Sequence, residues 1–326
     1  MPTIPSPEPI LPVALIALDI DGTLIGDDLV IGPDTRRAVA AARRRGIPVS
    51  IVTGRMVSSA MRFARELGLD GPIVGYQGGL IRAMPEPGTN RVGRLLRHQP
   101  LAASTARDII AWTSAHGLDP HVNHLERFIL RADDPYADDY SAFMGAPAEL
   151  VPDLATSIDH PVTKVLAAGE PPLPEALASE ATERYHGMAD VTISHPRFLE
   201  FVAPGVSKGR AVRWLARHFR VPLGATLAIG DQWNDLEMIA EVGHGTAMPT
   251  APAPVQAVAR YIAPPLAEEG VARMIEALVL AGPTAARAAS RQMAEAADLV
   301  RSGIETPDEA ADETEAQAAR LRQAGA

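Results

Sequence analysis

The chain has 326 residues, of which 47% are apolar and 21% charged, a composition that excludes disorder for its bulk and leaves room for about two domains. Acidic residues outnumber basic ones 40 to 30, the net charge is -10 and only 4% of residues are aromatic, which argues against a phosphate-tracking or base-stacking surface and so against a nucleic-acid partner. Cysteine is absent, which excludes disulfides, thiolate metal sites and a cysteine nucleophile.

Met1 to Glu8 is proline-rich and lacks the basic start of a signal peptide, and residues 1–11 are expected to be flexible. No apolar run reaches the about 18 residues of a membrane span, so a cytoplasmic protein without membrane contact is expected. Pro12 to Leu18 is a short continuous apolar run, the pattern of a strand buried on both faces. A helix is predicted from Asp34, taken as its cap, to Arg45, with Gly46 as its stop. Ile47 to Val52 is a second strand, Met56 to Leu67 a second helix ended by Gly68, and Pro72 to Tyr76 a third strand. This alternation predicts a parallel α/β sheet. From about 83 to 199 the texture changes to Pro, Gly, His and Asp with shorter strand-like pieces at Pro161 to Ala168 and Asp190 to Ile193. The α/β texture then returns, with a helix over Lys208 to Phe219, a strand over Ala225 to Ile229, a helix over Asn234 to Val242 and a possible strand over Gly245 to Met248. We therefore divide the chain into a core of residues 12–82 and 200–281, an inserted α+β domain of residues 83–199 and a C-terminal extension of residues 282–326. The extension is rich in Ala and Glu and reads as helical or disordered, with Thr306-Pro-Asp-Glu309 as a capped helix start.

Four motifs carry chemistry. Leu18-Asp19-Ile20-Asp21-Gly22-Thr23 places two carboxylates, Asp19 and Asp21, where a strand of seven apolar residues runs out; alternate side chains there share a face, and parallel strands bind ligands at their C-terminal ends. A bare Asp-x-Asp-Gly also suits a turn. Thr53-Gly54-Arg55 follows the second strand, where a hydroxyl and freed backbone amides can meet phosphate oxygens, although a plain strand-to-helix turn looks similar. Ser207-Lys208-Gly209 opens a helix with one of only two lysines in the chain, against 28 arginines; lysine in such a background suggests a compact point charge, with a surface lysine as the alternative. Gly230-Asp231-Gln232-Trp233-Asn234-Asp235 again sets a carboxylate at a strand exit and a second at the next helix start. Paired carboxylates suit Mg²⁺ rather than zinc, and Asp235 could equally cap a helix. The other lysine, Lys164, reads as structural.

In order and spacing these motifs resemble the four motifs of the haloacid-dehalogenase-like (HAD) hydrolase superfamily. The large insert is similar to the type IIB cap of its Cof-type sugar phosphatases, and Glu269-Gly270-Val271-Ala272 resembles the segment that closes the core. The resemblance implies a Rossmann-like parallel-sheet core with an inserted α+β cap. It also implies a Mg²⁺-dependent phosphatase for a small phosphomonoester, working through an aspartyl phosphate. Asp19 would be the nucleophile and Asp21 the acid and base. Thr53, Gly54 and Lys208 would hold phosphoryl oxygens, with Arg55 and Asn234 beside the substrate. Asp19, Asp231, Asp235 and the backbone carbonyl of Asp21 would form the metal site. The insert would read the leaving group, with His121, Asn123, His124, Arg127, Lys164 and Arg197 as candidates. Gln77-Gly78-Gly79 and Met248-Pro249 depart from the family's usual residues on the substrate side, which weakens transfer of any particular substrate. The alternatives are a phosphohexomutase of the same superfamily and a catalytically silent phosphometabolite-binding regulator. The sequence does not address oligomeric state.

Overall fold

The computed structural model describes residues 11–301 except 87, 90–91, 135–136, 145–146, 171–172, 174 and 196. The segment before Leu11 and the expected helix start at Thr306 lie outside the described residues. In chain order β1 (Leu15–Leu18), α1 (Pro33–Arg44), β2 (Val49–Ile51), α2 (Val57–Glu66) and β3 (Ile73–Gly75) come first, followed by β4 (Leu80–Arg82) and β5 (Leu95–His98). Then come α3 (Ala103–Ala115), β6 (Asp119–His124), β7 (Arg127–Arg131), α4 (Ala137–Met144), β8 (Glu149–Val151), β9 (Lys164–Ala168), α5 (Glu175–Arg184), β10 (Asp190–His195) and β11 (Phe198–Val202). The chain continues through α6 (Lys208–Phe219), β12 (Thr226–Gly230), α7 (Leu236–Glu241), β13 (His244–Ala247), α8 (Ala253–Val258), β14 (Tyr261–Ile262), α9 (Gly270–Ile275) and α10 (Pro283–Arg301).

A parallel five-stranded sheet of order β14-β13-β12-β1-β2 holds strands from both ends of the chain. β1 is buried throughout, and its side chains divide by strand periodicity. Ile16 and Leu18 join the cluster containing Ala38 and Val39 of α1 and Val271 of α9. Leu15 and Ala17 join the cluster containing Val212 and Leu215 of α6 and Met238 of α7. Each large side chain so buried contributes about 1.5–3 kcal/mol. Strand order reverses direction at β1, with β2 on one side and β12 on the other, so a crevice opens beyond the C-terminal ends of these strands.

Two expectations are corrected. β3 is not a strand of the five-stranded sheet: it pairs antiparallel with β4, which pairs with β5, and it meets the residues just after β2 through a parallel Val52–Val74 bridge, with the Thr53 amide donating to the Val74 carbonyl at 3.0 Å. Asp34 does not cap α1. Gly32 is the cap residue, Pro33 opens the first turn, and Asp34 lies within that turn. The missing cap contact comes from Glu269, whose Oε2 accepts from the Thr35 amide at 2.6 Å. A side chain at Gly32 would collide with that carboxylate, since a Cβ there would stand 2.2 Å from Glu269 Cδ.

The second large sheet, of order β10-β11-β9-β6-β7-β8, is antiparallel except for β7–β8. Val122, Ile129, Val165, Leu199 and Phe201 pack with Ile109 and Ala181 on one face, under α3 and α5. The other face carries His121 opposite Leu166 and Asn123 opposite Lys164. Of the C-terminal extension, α10 is helical and docks through Ser290, whose hydroxyl meets the Tyr261 hydroxyl. No helix among the described residues is long and apolar enough to cross a membrane.

Candidate active site

Asp19 follows β1 directly, Thr53 follows Val52 beyond β2, and Asp231 follows β12, so the sheet delivers all three side chains to one rim. Lys208 enters from the first residue of α6, where Ser207 caps the helix by accepting from the Arg210 amide at 3.1 Å. Its Nζ lies 2.7 Å from Asp19 Oδ1 and 2.7 Å from Asp235 Oδ1. The other oxygen of Asp235 accepts from the amides of Asp231 and Gln232 at 3.1 and 3.0 Å. Asp235 is therefore both a turn cap and a partner of the lysine, and the expected helix from Asn234 starts as a 3-10 turn, Trp233–Asp235, before α7.

Asp19, Asp231 and Asp235 each offer an oxygen within 4.8 Å of the others. They are 4%, 6% and 0% exposed, and Lys208 is 1% exposed. Three buried carboxylates facing one ammonium leave an excess of negative charge. Burial pushes Asp19 well above the usual carboxylate range, and Asp235 and Asp231 add to this against the pull of Lys208. Burial, with Asp235, raises Asp231 to about 7, although Lys208 and the Thr23 hydroxyl at 3.3 Å favour its charged form. Lys208 is raised because Asp19 and Asp235 outweigh the opposing effect of its own burial. An all-oxygen pocket short of positive charge is what a hard divalent cation such as Mg²⁺ requires, so the donor set fits that ion.

Asp21, expected beside the metal and as acid and base, turns its carboxylate to Arg55. The guanidinium donates to it through Nε at 2.7 Å and Nη2 at 2.5 Å. Thr53 is buried and its hydroxyl accepts from the Arg55 amide at 3.2 Å. Gly54 brings its backbone against the insert: its carbonyl accepts from Lys164 Nζ at 3.2 Å, and a Cβ on it would stand 2.4 Å from Gln77 Nε2. Asn234 donates through Nδ2 to Gln77 Oε1 at 2.9 Å. Gln77 in turn donates to Glu200 Oε2 at 2.9 Å, and Lys164 donates to Glu200 Oε1 at 2.8 Å.

Among the insert candidates, Lys164 reaches the Gly54 carbonyl and Asn123 stands opposite it in the sheet. His121 and Asn123 are 0% exposed. His124 lies edge-on to His98 and His160. Arg127 pairs with Glu149 at the surface, and Arg197 donates to the Gly169 carbonyl. Sequence reasoning missed Glu200 as a site neighbour, for which it had no signal. Gln77 was marked on the substrate side by its departure from the usual hinge residue, and Lys164 had a signal in its rarity.

Comparisons with known proteins agree with this geometry. Residues 16–275 match the family model described as haloacid dehalogenase-like hydrolase. The chain is 28% identical over 271 residues to the 5-amino-6-(5-phospho-D-ribitylamino)uracil phosphatase YitU of Bacillus subtilis, covering 80% of this chain and 96% of that protein. Among solved structures, a haloacid dehalogenase-like hydrolase from Bacteroides thetaiotaomicron superposes with a TM-score of 0.70 at 28% identity, covering 81% of this chain and 98% of the other. A HAD subclass IIB sugar phosphatase shares the fold with a TM-score of 0.68 at 19% identity, covering 81% of this chain and 98% of its own. With its acidic strand exits, its buried lysine and a family match spanning most of its length, the chain belongs to the haloacid dehalogenase-like hydrolase family.

Proposed function

We propose that this protein is a Mg²⁺-dependent phosphomonoesterase for a small phosphorylated metabolite, a sugar phosphate or phosphorylated polyol, and that it works through an aspartyl phosphate. The observation that carries the reading is the buried Asp19–Lys208–Asp235 triplet, with Asp231 beside it and Asp21 two residues along the chain. Family membership and the phosphorylated ribityl compound named for YitU support the substrate class.

A carboxylate approaching a phosphate dianion meets repulsion of about 4 kcal/mol per charge pair at roughly 4 Å and an effective dielectric near 20. Lys208 supplies part of the counter-charge. Asp19, Asp231 and the backbone carbonyl of Asp21 would hold Mg²⁺, with Asp235 and Asn234 completing its surroundings, and the bound ion would supply the rest of the charge neutralisation. Asp19 attacks phosphorus in line, and the bond from phosphorus to the ester oxygen breaks. Asp21 gives its proton to the departing alkoxide. It then takes a proton from the water that attacks the aspartyl phosphate, releasing inorganic phosphate and restoring Asp19. Thr53, Gly54 and Lys208 orient the transferring phosphoryl group. Because Arg55 holds the Asp21 carboxylate through two hydrogen bonds, that pair must open for Asp21 to reach the leaving oxygen. Residues 83–199, together with β11, act as the cap over the core and meet the leaving group.

The test is Mg²⁺-dependent phosphate release from an aryl phosphate and from a panel of sugar and polyol phosphates. Asp19→Asn is expected to lower turnover at least about 10³-fold while the circular dichroism spectrum is kept. Residual activity near the parent level overturns the reading. Phosphate transfer without net release would identify a mutase instead.

A further inference from the structure

A second cluster of metal-ligating groups lies in the insert. Asp119 and His121 are alternate residues of β6 and so share one face of the six-stranded sheet. Asp134 follows the end of β7 and returns to the same face. His121 Nε2 is 3.5 Å from Asp119 Oδ2 and 3.6 Å from Asp134 Oδ2, and one donor atom of each residue lies within 4.8 Å of the others.

The His121 side chain is 0% exposed and that of Asp134 is 1% exposed. Neither ring nitrogen of His121 has a hydrogen-bond partner among the described residues, an unusual state for a buried imidazole. The two nitrogen-to-oxygen separations exceed the about 2.7–3.2 Å of an N–H···O bond. They match instead two donors on one cation, since ligands about 2.0–2.1 Å from a tetrahedral ion stand roughly 3.4 Å apart. Tyr140 and Phe128 pack edge-on against the imidazole, with ring centroids 4.1 and 5.6 Å away, and hold its plane within an apolar surround. The Asp119 side chain is 26% exposed and gives an ion a way in.

We propose that Asp119, His121 and Asp134 bind a divalent first-row transition-metal ion of the Zn²⁺ type. The ion ties the start of β6 to the segment that follows β7. One imidazole with two carboxylates is a mixed nitrogen and oxygen donor set, which favours such ions, whereas the all-carboxylate set around Asp19 favours Mg²⁺. The two sites are thus separable by chemistry as well as by position.

The test uses the full chain, stripped with a chelator and held in excess Mg²⁺, with Co²⁺ as the probe. Bound metal is counted by equilibrium dialysis with elemental analysis, and its coordination is read from the visible absorption of Co²⁺. The wild type is expected to hold one Co²⁺ that Asp231→Asn retains. His121→Leu and the gentler, partly exposed Asp119→Asn are expected to lose at least about 10-fold in affinity for it. The proposal is overturned if the wild type binds no Co²⁺ beyond what Asp231→Asn loses, or if Asp119→Asn binds Co²⁺ unchanged. Because the readout is metal bound per chain, it does not depend on whether the chain hydrolyses phosphomonoesters.

Discussion

Gly22 sets how closely the first acidic loop approaches the last. Its φ is +73°, and a Cβ built on it would stand 2.2 Å from Asp231 Oδ2. Gly22→Ala must therefore bear the left-handed backbone, about 1–2 kcal/mol, and also displace the carboxylate. Displacements near 1 Å at a catalytic centre cost about 10²-fold. We expect turnover to fall by at least that factor and the Mg²⁺ requirement to rise, measured as phosphate release against Mg²⁺ concentration; parent-like kinetics would show that Asp231 has room to move. Asp19, Thr53 and Asp231 were legible because each stands at the end of a run whose burial the residues themselves announce, and Lys208 because it opens a helix as one of only two lysines. The Arg55–Asp21 pair was not, since residues 34 apart meet only through the path of two loops. Gln77 and Glu200, 123 residues apart, were less legible still.

At the scale of elements, local pattern located the core strands to within a few residues and could not say which sheet each would join. Ile73–Gly75 has the apolar run of a parallel strand, yet its partner is β4. The α1 cap was misplaced because it comes from Glu269, 234 residues away. The insert shows a consequence of packing that composition does not reveal. β5, β6 and the segment before β9 bring together His98, His124 and His160, while the His98 ring meets the Thr163 hydroxyl at 3.0 Å. Burial, then His160 and His98, then Arg127, push His124 down to about 4. The folded chain thus binds fewer protons here than the unfolded chain between about pH 6.5 and pH 4, so stability is full above that window and is lost as pH falls through it. The imidazole is partly exposed to solvent, so screening reduces the effect to about 1 kcal/mol. His124→Gln is expected to lose less stability than the wild type between pH 7 and about pH 5 in urea unfolding; parallel losses would remove His124 as the cause.

Across the whole molecule, a largely buried polar chain links the insert to the core, beside the Arg82–Glu126 pair and the Tyr76 hydroxyl on the Leu125 carbonyl. Asn234 donates to Gln77, Gln77 to Glu200, and Lys164 to both Glu200 and the Gly54 carbonyl. The chain thus runs from the loop after β12, through the turn after β3, to β11 and β9, and back to the loop after β2. The Lys164 and Glu200 side chains are 4% and 3% exposed, so neither charge can turn to water if the other is removed. Breaking such a pair costs about 3–5 kcal/mol, whereas replacing both partners by apolar groups of similar size is often neutral. Glu200→Leu is therefore expected to destabilise the protein by about 3–5 kcal/mol, and Lys164→Met by a smaller amount, because Glu200 still accepts from Gln77. The Lys164→Met/Glu200→Leu double variant is expected to recover most of the loss, giving a coupling energy in a double-mutant cycle measured by urea unfolding. The double variant also separates stability from function. It stays folded but lacks the link between the insert and Gly54, so its KM for a phosphomonoester should rise more than its kcat falls. Additive losses in the cycle would mean that Lys164 and Glu200 are solvated independently and that the insert is held by its other contacts, among them Arg82 to Glu126 and Tyr76 to the Leu125 carbonyl.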